Sequence, residues 1–185
     1  MTIYEQKMKE KNSVYVIAEM SANHNGSIET AKEIIHAMKE AGADCVKVQT
    51  YTADTITMDC RNEYFLLKGG TWDGQNLHDL YKQAYMPWEW QGELKKEAES
   101  IGLDFFSTPF DPTSVDFLES INIPFYKIAS FEVVDIPLIK KVAATGKPII
   151  MSVGMASLAE IDEAVSVIKS YGNDLALLKC SSAYP

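Results

Sequence analysis

The sequence predicts an α/β protein, the N-terminal part of a TIM (β/α)8 barrel with about six of its eight strands. Three observations predict it. Short apolar runs alternate with helix-length segments, the rhythm of parallel βαβ units. The runs are nearly continuous, as strands covered on both faces must be. Each run also gives way to polar residues at its carboxyl end, where a barrel assembles its active site. Val14-Tyr15-Val16-Ile17-Ala18 runs into Glu19, Cys45-Val46 into Lys47-Val48-Gln49, and Phe105-Phe106 into Ser107-Thr108. Pro124-Phe125-Tyr126 precedes Lys127-Ile128-Ala129-Ser130, and Pro148-Ile149-Ile150-Met151 precedes Ser152. Leu175-Ala176-Leu177-Leu178 precedes Lys179-Cys180-Ser181-Ser182.

In chain order, a first strand is expected at about 14–20 and a helix at about 27–41. Ser27 is a plausible cap for that helix, Glu29 and Glu33 lie near its positive end, and Gly42 stops it. A second strand comes next at about 43–49. A long segment with Gly69-Gly70, Asp73-Gly74 and Pro87 then leads to a helix at about 88–101. Gly102 ends this helix, and the third strand occupies about 103–107. The helix at about 112–120 opens on Asp111-Pro112, a cap followed by proline at the first helical position. The remaining expectations are strands at 124–130, 148–153 and 175–180, with helices at 135–144 and 157–171. An open doubly wound sheet is the alternative. It is disfavoured because Ser21-Ala22-Asn23-His24-Asn25-Gly26 has one glycine where a dinucleotide loop needs three, and no Walker A sequence is present. Six strands fall short of eight, so the chain is read as part of a longer enzyme.

A length of 185 residues fits one domain, and 46% apolar content suffices for a core. The formal charge of −9 argues against nucleic acid or an acidic membrane surface as partner. It leaves room for a small anion held by a few lysines. The single arginine, Arg61, means that phosphate recognition rests on lysines, backbone N–H groups and hydroxyls. Three cysteines, Cys45, Cys60 and Cys180, without metal-type spacing point to a reducing compartment. Cys45 and Cys180 are expected as buried, inert thiols. Neither a membrane-length apolar run nor the apolar core of a secretion signal is visible, so the expected location is cytoplasmic.

Residues two apart on a strand share a face. Lys47 and Gln49 therefore point together into a barrel mouth, and Lys179 with Ser181 repeats the pattern. The competing reading is that the lysines snorkel from apolar segments to solvent. Lys47 and Lys127 converging beside Thr108, Ser130 and Ser152 make a cradle for phosphate and carboxylate. Glu19 is costly if buried alone, but beside Lys47 it can bind hydroxyls or move a proton. Glu132 reads either as a carboxylate that orients a polyhydroxy substrate or as an exposed loop residue. Asn23 and Asn25 suit a turn, and His24 is a candidate donor to an anion or hydroxyl. With His36 and His78 in a helix and in the long segment, no three-ligand metal set is readable. Trp72, Trp88, Trp90, Tyr81 and Tyr85 are expected to pack that segment onto the barrel, with some lining a sugar pocket as the alternative.

The same residues resemble the sialic acid synthase family. The resemblance is carried in order by Ile17-Ala18-Glu19-Met20-Ser21-Ala22-Asn23-His24-Asn25-Gly26-Ser27, Gly42-Ala43-Asp44-Cys45-Val46-Lys47-Val48-Gln49-Thr50 and Ser107-Thr108-Pro109-Phe110-Asp111. Lys127-Ile128-Ala129-Ser130, Ser152-Val153-Gly154-Met155 and Cys180-Ser181-Ser182-Ala183-Tyr184-Pro185 complete it. Met20-Ser21-Ala22, Ser182 in place of a usual Asn, and the segment around Trp72-Asp73-Gly74 look like the pseudaminic acid synthase branch. The resemblance implies that Lys47, Thr108, Lys127, Ser130, Ser152 and Ser182 hold phosphoenolpyruvate. It puts Gln49, Glu132 and Tyr184 near the ligands and Glu19 at the reacting centre. It further implies a divalent cation, Mn2+ or Mg2+, with its main ligands beyond residue 185. A small C-terminal domain resembling type III antifreeze protein and a swapped homodimer are also implied. The implied reaction condenses phosphoenolpyruvate with 2,4-diacetamido-2,4,6-trideoxy-altrose. Synthesis of N-acetylneuraminate or legionaminate, or a noncatalytic sugar-phosphate-binding role, are the alternatives.

Overall fold

A computed structural model describes residues 14–181. Six parallel strands pair in sequence order into an open, curled sheet, an incomplete barrel. They are β1 (Ile17–Glu19), β2 (Cys45–Thr50), β3 (Asp104–Pro109), β4 (Tyr126–Ile128), β5 (Ile149–Ser152) and β6 (Leu175–Leu178). The helices are α1 (Ile28–Glu40), α2 (Ala53–Ile56), α3 (Leu77–Ala84), α4 (Trp88–Ser100), α5 (Pro112–Ser120), α6 (Ile136–Ala143) and α7 (Leu158–Ser170). The barrel-type α/β expectation holds. No helix among the described residues is long and apolar enough to cross a membrane.

Local chemistry starts and stops these helices. The Ser27 hydroxyl accepts the Thr30 N–H at 3.2 Å, one of the donors a helix start leaves unpaired. The Asp111 carboxylate accepts from Thr113 and Ser114, with Pro112 at the first turn. Ser157 and Glu160 form a reciprocal capping box on α7. Gly42, at φ +88°, lets the chain leave α1 while its N–H bonds Lys39 O and Ala43 N–H bonds Met38 O.

Strand parity then sorts side chains into two layers. Val46, Val48 and Phe105 face outward and pack with Leu94, Ala98 and Ile35 of the helical layer. Tyr126, Ile128, Ile149 and Met151 do the same against α5, α6 and α7. The opposite faces supply Cys45, Phe106, Phe125 and Ile150, with Ile17 and Ala176 against them, as an apolar floor inside the curl. Two residues further along β1 to β5 the inward positions become polar, as Glu19, Lys47, Thr108, Lys127 and Ser152, whereas β6 presents Leu178.

Several expected boundaries shift, each for a physical reason. β1 and β4 are three residues long rather than seven. Among the described residues β1 pairs only with β2, and its ladder starts at Ile17 opposite Cys45. After β4 the chain winds into a 3-10 turn over Ser130–Val134, which ends the strand early. β6 stops at Leu178, so Lys179 and Cys180 lie beyond it. Helix α3 falls inside the long segment for which no helix is expected. Its signals are nonetheless present: Asn76 caps it by accepting from His78 N–H, and Leu77, Leu80, Tyr81 and Ala84 have helical spacing.

A buried polar network joins α4 to β2 and β3. The fully buried Gln91 accepts from Thr50 Oγ1 at 2.9 Å and donates to the Gln49 carbonyl at 3.3 Å. Thr50 Oγ1 sits 2.6 Å from the Ser107 hydroxyl. Nothing in the apolar pattern of α4 marks Gln91 for this role. Gln91→Leu removes both of its hydrogen bonds in a dry setting, leaving Thr50 only the Ser107 hydroxyl, and a loss of about 1–3 kcal/mol is expected. Urea unfolding of parent and variant measures it.

Candidate active site

The carboxyl ends of the six strands enclose a cavity of about 680 Å³. Parallel register brings polar groups level: Glu19 lies opposite Lys47 and Gln49 opposite Thr108, while Ser152 lies opposite Leu178, an apolar neighbour. Glu19, Lys47, Gln49, Thr108, Lys127, Ser130 and Ser152 all line it. The structure therefore brings together seven of the residues singled out from sequence. Ser182 and Tyr184 lie outside the described residues.

Lys47 forms an ion pair with Glu19, whose other oxygen accepts the Ser21 N–H at 3.0 Å. Lys127 is 6% exposed and donates to its neighbour's carbonyl, Ile128 O, at 2.6 Å. Burial, and then the charge of Lys127, draw Lys47 down to about 7. Burial draws Lys127 down to about 8, opposed by Cys180 and Glu132. Neither lysine snorkels to open solvent. An anion entering the cavity would meet both ammoniums in a setting of low dielectric, where their attraction is strongest.

Hydroxyls complete the cradle. Ser130 Oγ accepts the Gly154 N–H at 3.2 Å, which ties the end of β4 to the end of β5 and keeps its own proton for a ligand. Thr108 is 2% exposed and Ser152 is also buried, yet both still line the cavity. Beyond β6, Lys179 adds a third ammonium to the lining, together with Ser181.

Three expectations need correction. Cys180 is not buried in a strand. It lies past the end of β6, is half-buried and lines the cavity, whereas Cys45 is buried as expected. His24 does not donate into the site. It is buried, its Nδ1 accepts the Gly26 N–H at 3.1 Å, and its ring meets Trp90 edge-on at 5.8 Å. Burial lowers its pKa, so it is a neutral ring that holds the turn. Glu132 is not an exposed loop residue. The 3-10 turn folds it inward, where its Oε2 is buried without a hydrogen-bond partner. Burial raises its pKa, with a backbone N–H and Lys127 opposing.

The aromatic segment packs mainly as expected. Trp88 tilts against Phe117 and donates to Tyr51 O, Trp90 meets His24, and Tyr81 stacks edge-on against Tyr51. Trp72 stays half exposed. The cavity also has an apolar lining that the sequence reading misses: Phe110, Phe131, Met155 and Leu178. Phe110 and Met155 belong to the motif stretches at strand ends, so proximity to a strand end is the available signal.

Among the described residues no group of three or more His, Cys, Asp or Glu side chains is placed to hold a metal ion. The described residues therefore do not fit a divalent cation held by such a group.

Fold and site define an α/β-barrel protein with a cationic cavity at the carboxyl ends of its strands. The NeuB family profile matches residues 34–185. The pseudaminic acid synthase of Helicobacter pylori is 48% identical over 171 residues, covering 92% of this chain and 50% of that protein. An N,N'-diacetyllegionaminic acid synthase of Legionella pneumophila is 37% identical over 176 residues, covering 92% and 49%. The solved N-acetylneuraminic acid (sialic acid) synthetase of Leptospira borgpetersenii, in complex with citrate, superposes with a TM-score of 0.81. It is 30% identical, and the match covers 92% of this chain and 55% of that one. This chain belongs to the NeuB family, the sialic acid synthase family. It spans about half the length of the curated relatives it matches.

Proposed function

We propose that this chain is the phosphoenolpyruvate-binding part of a pseudaminic acid synthase, which condenses phosphoenolpyruvate with 2,4-diacetamido-2,4,6-trideoxy-altrose and releases phosphate. The observation that carries the reading is the convergence of Lys47 and Lys127 with the hydroxyls of Thr108, Ser130 and Ser152 in one cavity. The higher identity to the Helicobacter pylori pseudaminic acid synthase than to the Legionella legionaminic acid synthase supports the altrose derivative as acceptor. In this reading the remaining barrel strands and a small antifreeze-like domain lie outside residues 1–185, and the full-length enzyme is a homodimer. A divalent cation, Mn2+ or Mg2+, would be held by ligands beyond residue 185 and would supply polarisation of the sugar aldehyde.

The π electrons of phosphoenolpyruvate form the bond from carbon 3 to the aldehyde carbon, and the aldehyde oxygen takes a proton. Carbon 2 becomes cationic. Water adds there, loses a proton, and the tetrahedral product expels phosphate to leave a 2-keto acid. Lys47 and Lys127 hold the carboxylate and phosphate while charge redistributes. Thr108, Ser130, Ser152 and, beyond the described residues, Ser182 donate to the anion's oxygens. Gln49 and Tyr184 flank the two substrates, and Glu132 faces the sugar side. Glu19 stabilises the cationic centre and takes the proton of the adding water.

The depressed lysines set a pH dependence. Each is charged below its pKa, so the cradle carries both charges below about 7 and loses them as pH rises through about 7 and 8. kcat/KM for phosphoenolpyruvate, which reports the free enzyme, is therefore expected to fall on the alkaline side within this range. A flat profile from pH 7 to 9 contradicts the cradle. The reaction itself is tested by product mass and phosphate release with the full-length enzyme, offered the altrose derivative, N-acetylmannosamine and the corresponding diacetamido mannose derivative. Preferential turnover of either mannose compound replaces the pseudaminate reading. No phosphate release with any of them rejects a synthase.

A further inference from the structure

The turn after β4 sends three consecutive residues to three places. Ser130 joins the polar cradle, Glu132 folds inward, and Phe131 between them projects to the cavity mouth with 67% of its surface exposed. Met155, after β5, lines the same opening and is 55% exposed. Large apolar side chains held open beside a charged cradle lose hydrophobic stabilisation unless something apolar covers them. The cavity is thus divided. Its ammoniums and hydroxyls lie at the strand ends, its outer wall presents Phe131 and Met155, and Phe110 and Leu178 add apolar lining at the ends of β3 and β6.

A small phosphorylated acid uses the first half and has no apolar group to offer the second. The wall also has little to give a fully hydroxylated sugar, since hydroxyls facing it would lose water without gaining partners. Resting on the synthase reading above, we propose that Phe131, with Met155 at the same opening, is a specificity-determining residue that selects acceptor sugars carrying methyl groups, as a deoxygenated carbon 6 or as the acyl methyl of an acetamido group.

The test compares acceptors that differ by one methyl-bearing group in the full-length enzyme: the 6-deoxy altrose derivative against its 6-hydroxy counterpart, and N-acetyl against N-formyl. A methyl in an apolar pocket discriminates by about 10–200-fold when enclosed, and a partly open wall contributes less. Phe131→Ala is expected to reduce the kcat/KM preference for the methyl-bearing member of at least one pair by about 3–10-fold. The KM for phosphoenolpyruvate stays unchanged. Phe131→Leu, which keeps an apolar surface, retains most of the preference. A merely structural role for Phe131 would lower turnover of both members of a pair together. Unchanged preferences in both pairs with an active Phe131→Ala enzyme overturn the inference and leave the synthase reading intact. If the parent turns over no acceptor, the synthase reading falls first and the inference with it.

Discussion

Lys127→Ala in the full-length enzyme is expected to lower kcat/KM for phosphoenolpyruvate by about 10²–10³-fold, the range seen when one preorganised donor to a developing charge is removed. The effect is large because Lys127 is almost wholly buried, so water does not replace the missing ammonium. Its loss also reaches the neighbouring lysine. The charge of Lys127 is one of the two causes that depress Lys47, so its removal raises the Lys47 pKa. The remaining alkaline limb of the pH profile should therefore move to higher pH while the maximum falls. Steady-state kinetics across pH 6–9 reads both effects. Wild-type affinity and turnover in the variant would remove Lys127 from the anion site.

Glu19→Gln is the second large effect, and its signature differs. The amide keeps the shape and can still accept the Ser21 N–H, but it removes the negative partner of Lys47. Proton transfer by a positioned side chain is worth about 10²–10⁴-fold, so a kcat loss in that range is expected with little change in phosphoenolpyruvate binding. Without its counter-charge, Lys47 loses its proton more easily, and the alkaline limb moves to lower pH. The two substitutions thus shift one titration in opposite directions. Isothermal titration with phosphoenolpyruvate separates them further: the lysine variant loses heat of binding, and the glutamine variant keeps it. Equal kcat for parent and Glu19→Gln would take Glu19 out of the chemistry.

The contrast between these residues and Glu132 shows where linear reading stops. Lys47 and Gln49 can be assigned to one face from their spacing, because a strand alternates its side chains whatever surrounds it. The same rule misplaces the residues after Lys127. The pattern of residues 124–130 is that of an extended strand, yet the chain coils into a 3-10 turn at Ser130. That coil sends Phe131 outward and Glu132 inward, an arrangement with no strand parity. Its setting is tertiary: Ser130 Oγ takes the Gly154 N–H from the next strand end, a partner 24 residues away. Cys180 is misplaced in the same way, because β6 ends two residues before it.

His24 and Gln91 are a second kind of miss. Both are polar residues in segments whose pattern leaves their partners open. His24 is buried by Trp90, and Gln91 is bonded by Thr50 and Gln49, residues more than 40 positions away in sequence. Whether a polar side chain is solvated or buried depends on such distant partners, and its own neighbours in the chain do not encode them.

The apolar runs, the caps at Ser27 and Asp111, and the polar residues at strand ends are legible because they rest on interactions within a few residues, set by backbone geometry alone. They dictate an α/β barrel architecture and nominate Glu19, Lys47, Lys127 and the cradle hydroxyls. The curl of the sheet and the register of its strands set the rest, since they fix which chain-distant groups share one volume. Those two features bring Lys47 and Lys127 into the same low-dielectric cavity, lower both pKa values, and set apolar side chains beside the charged cradle.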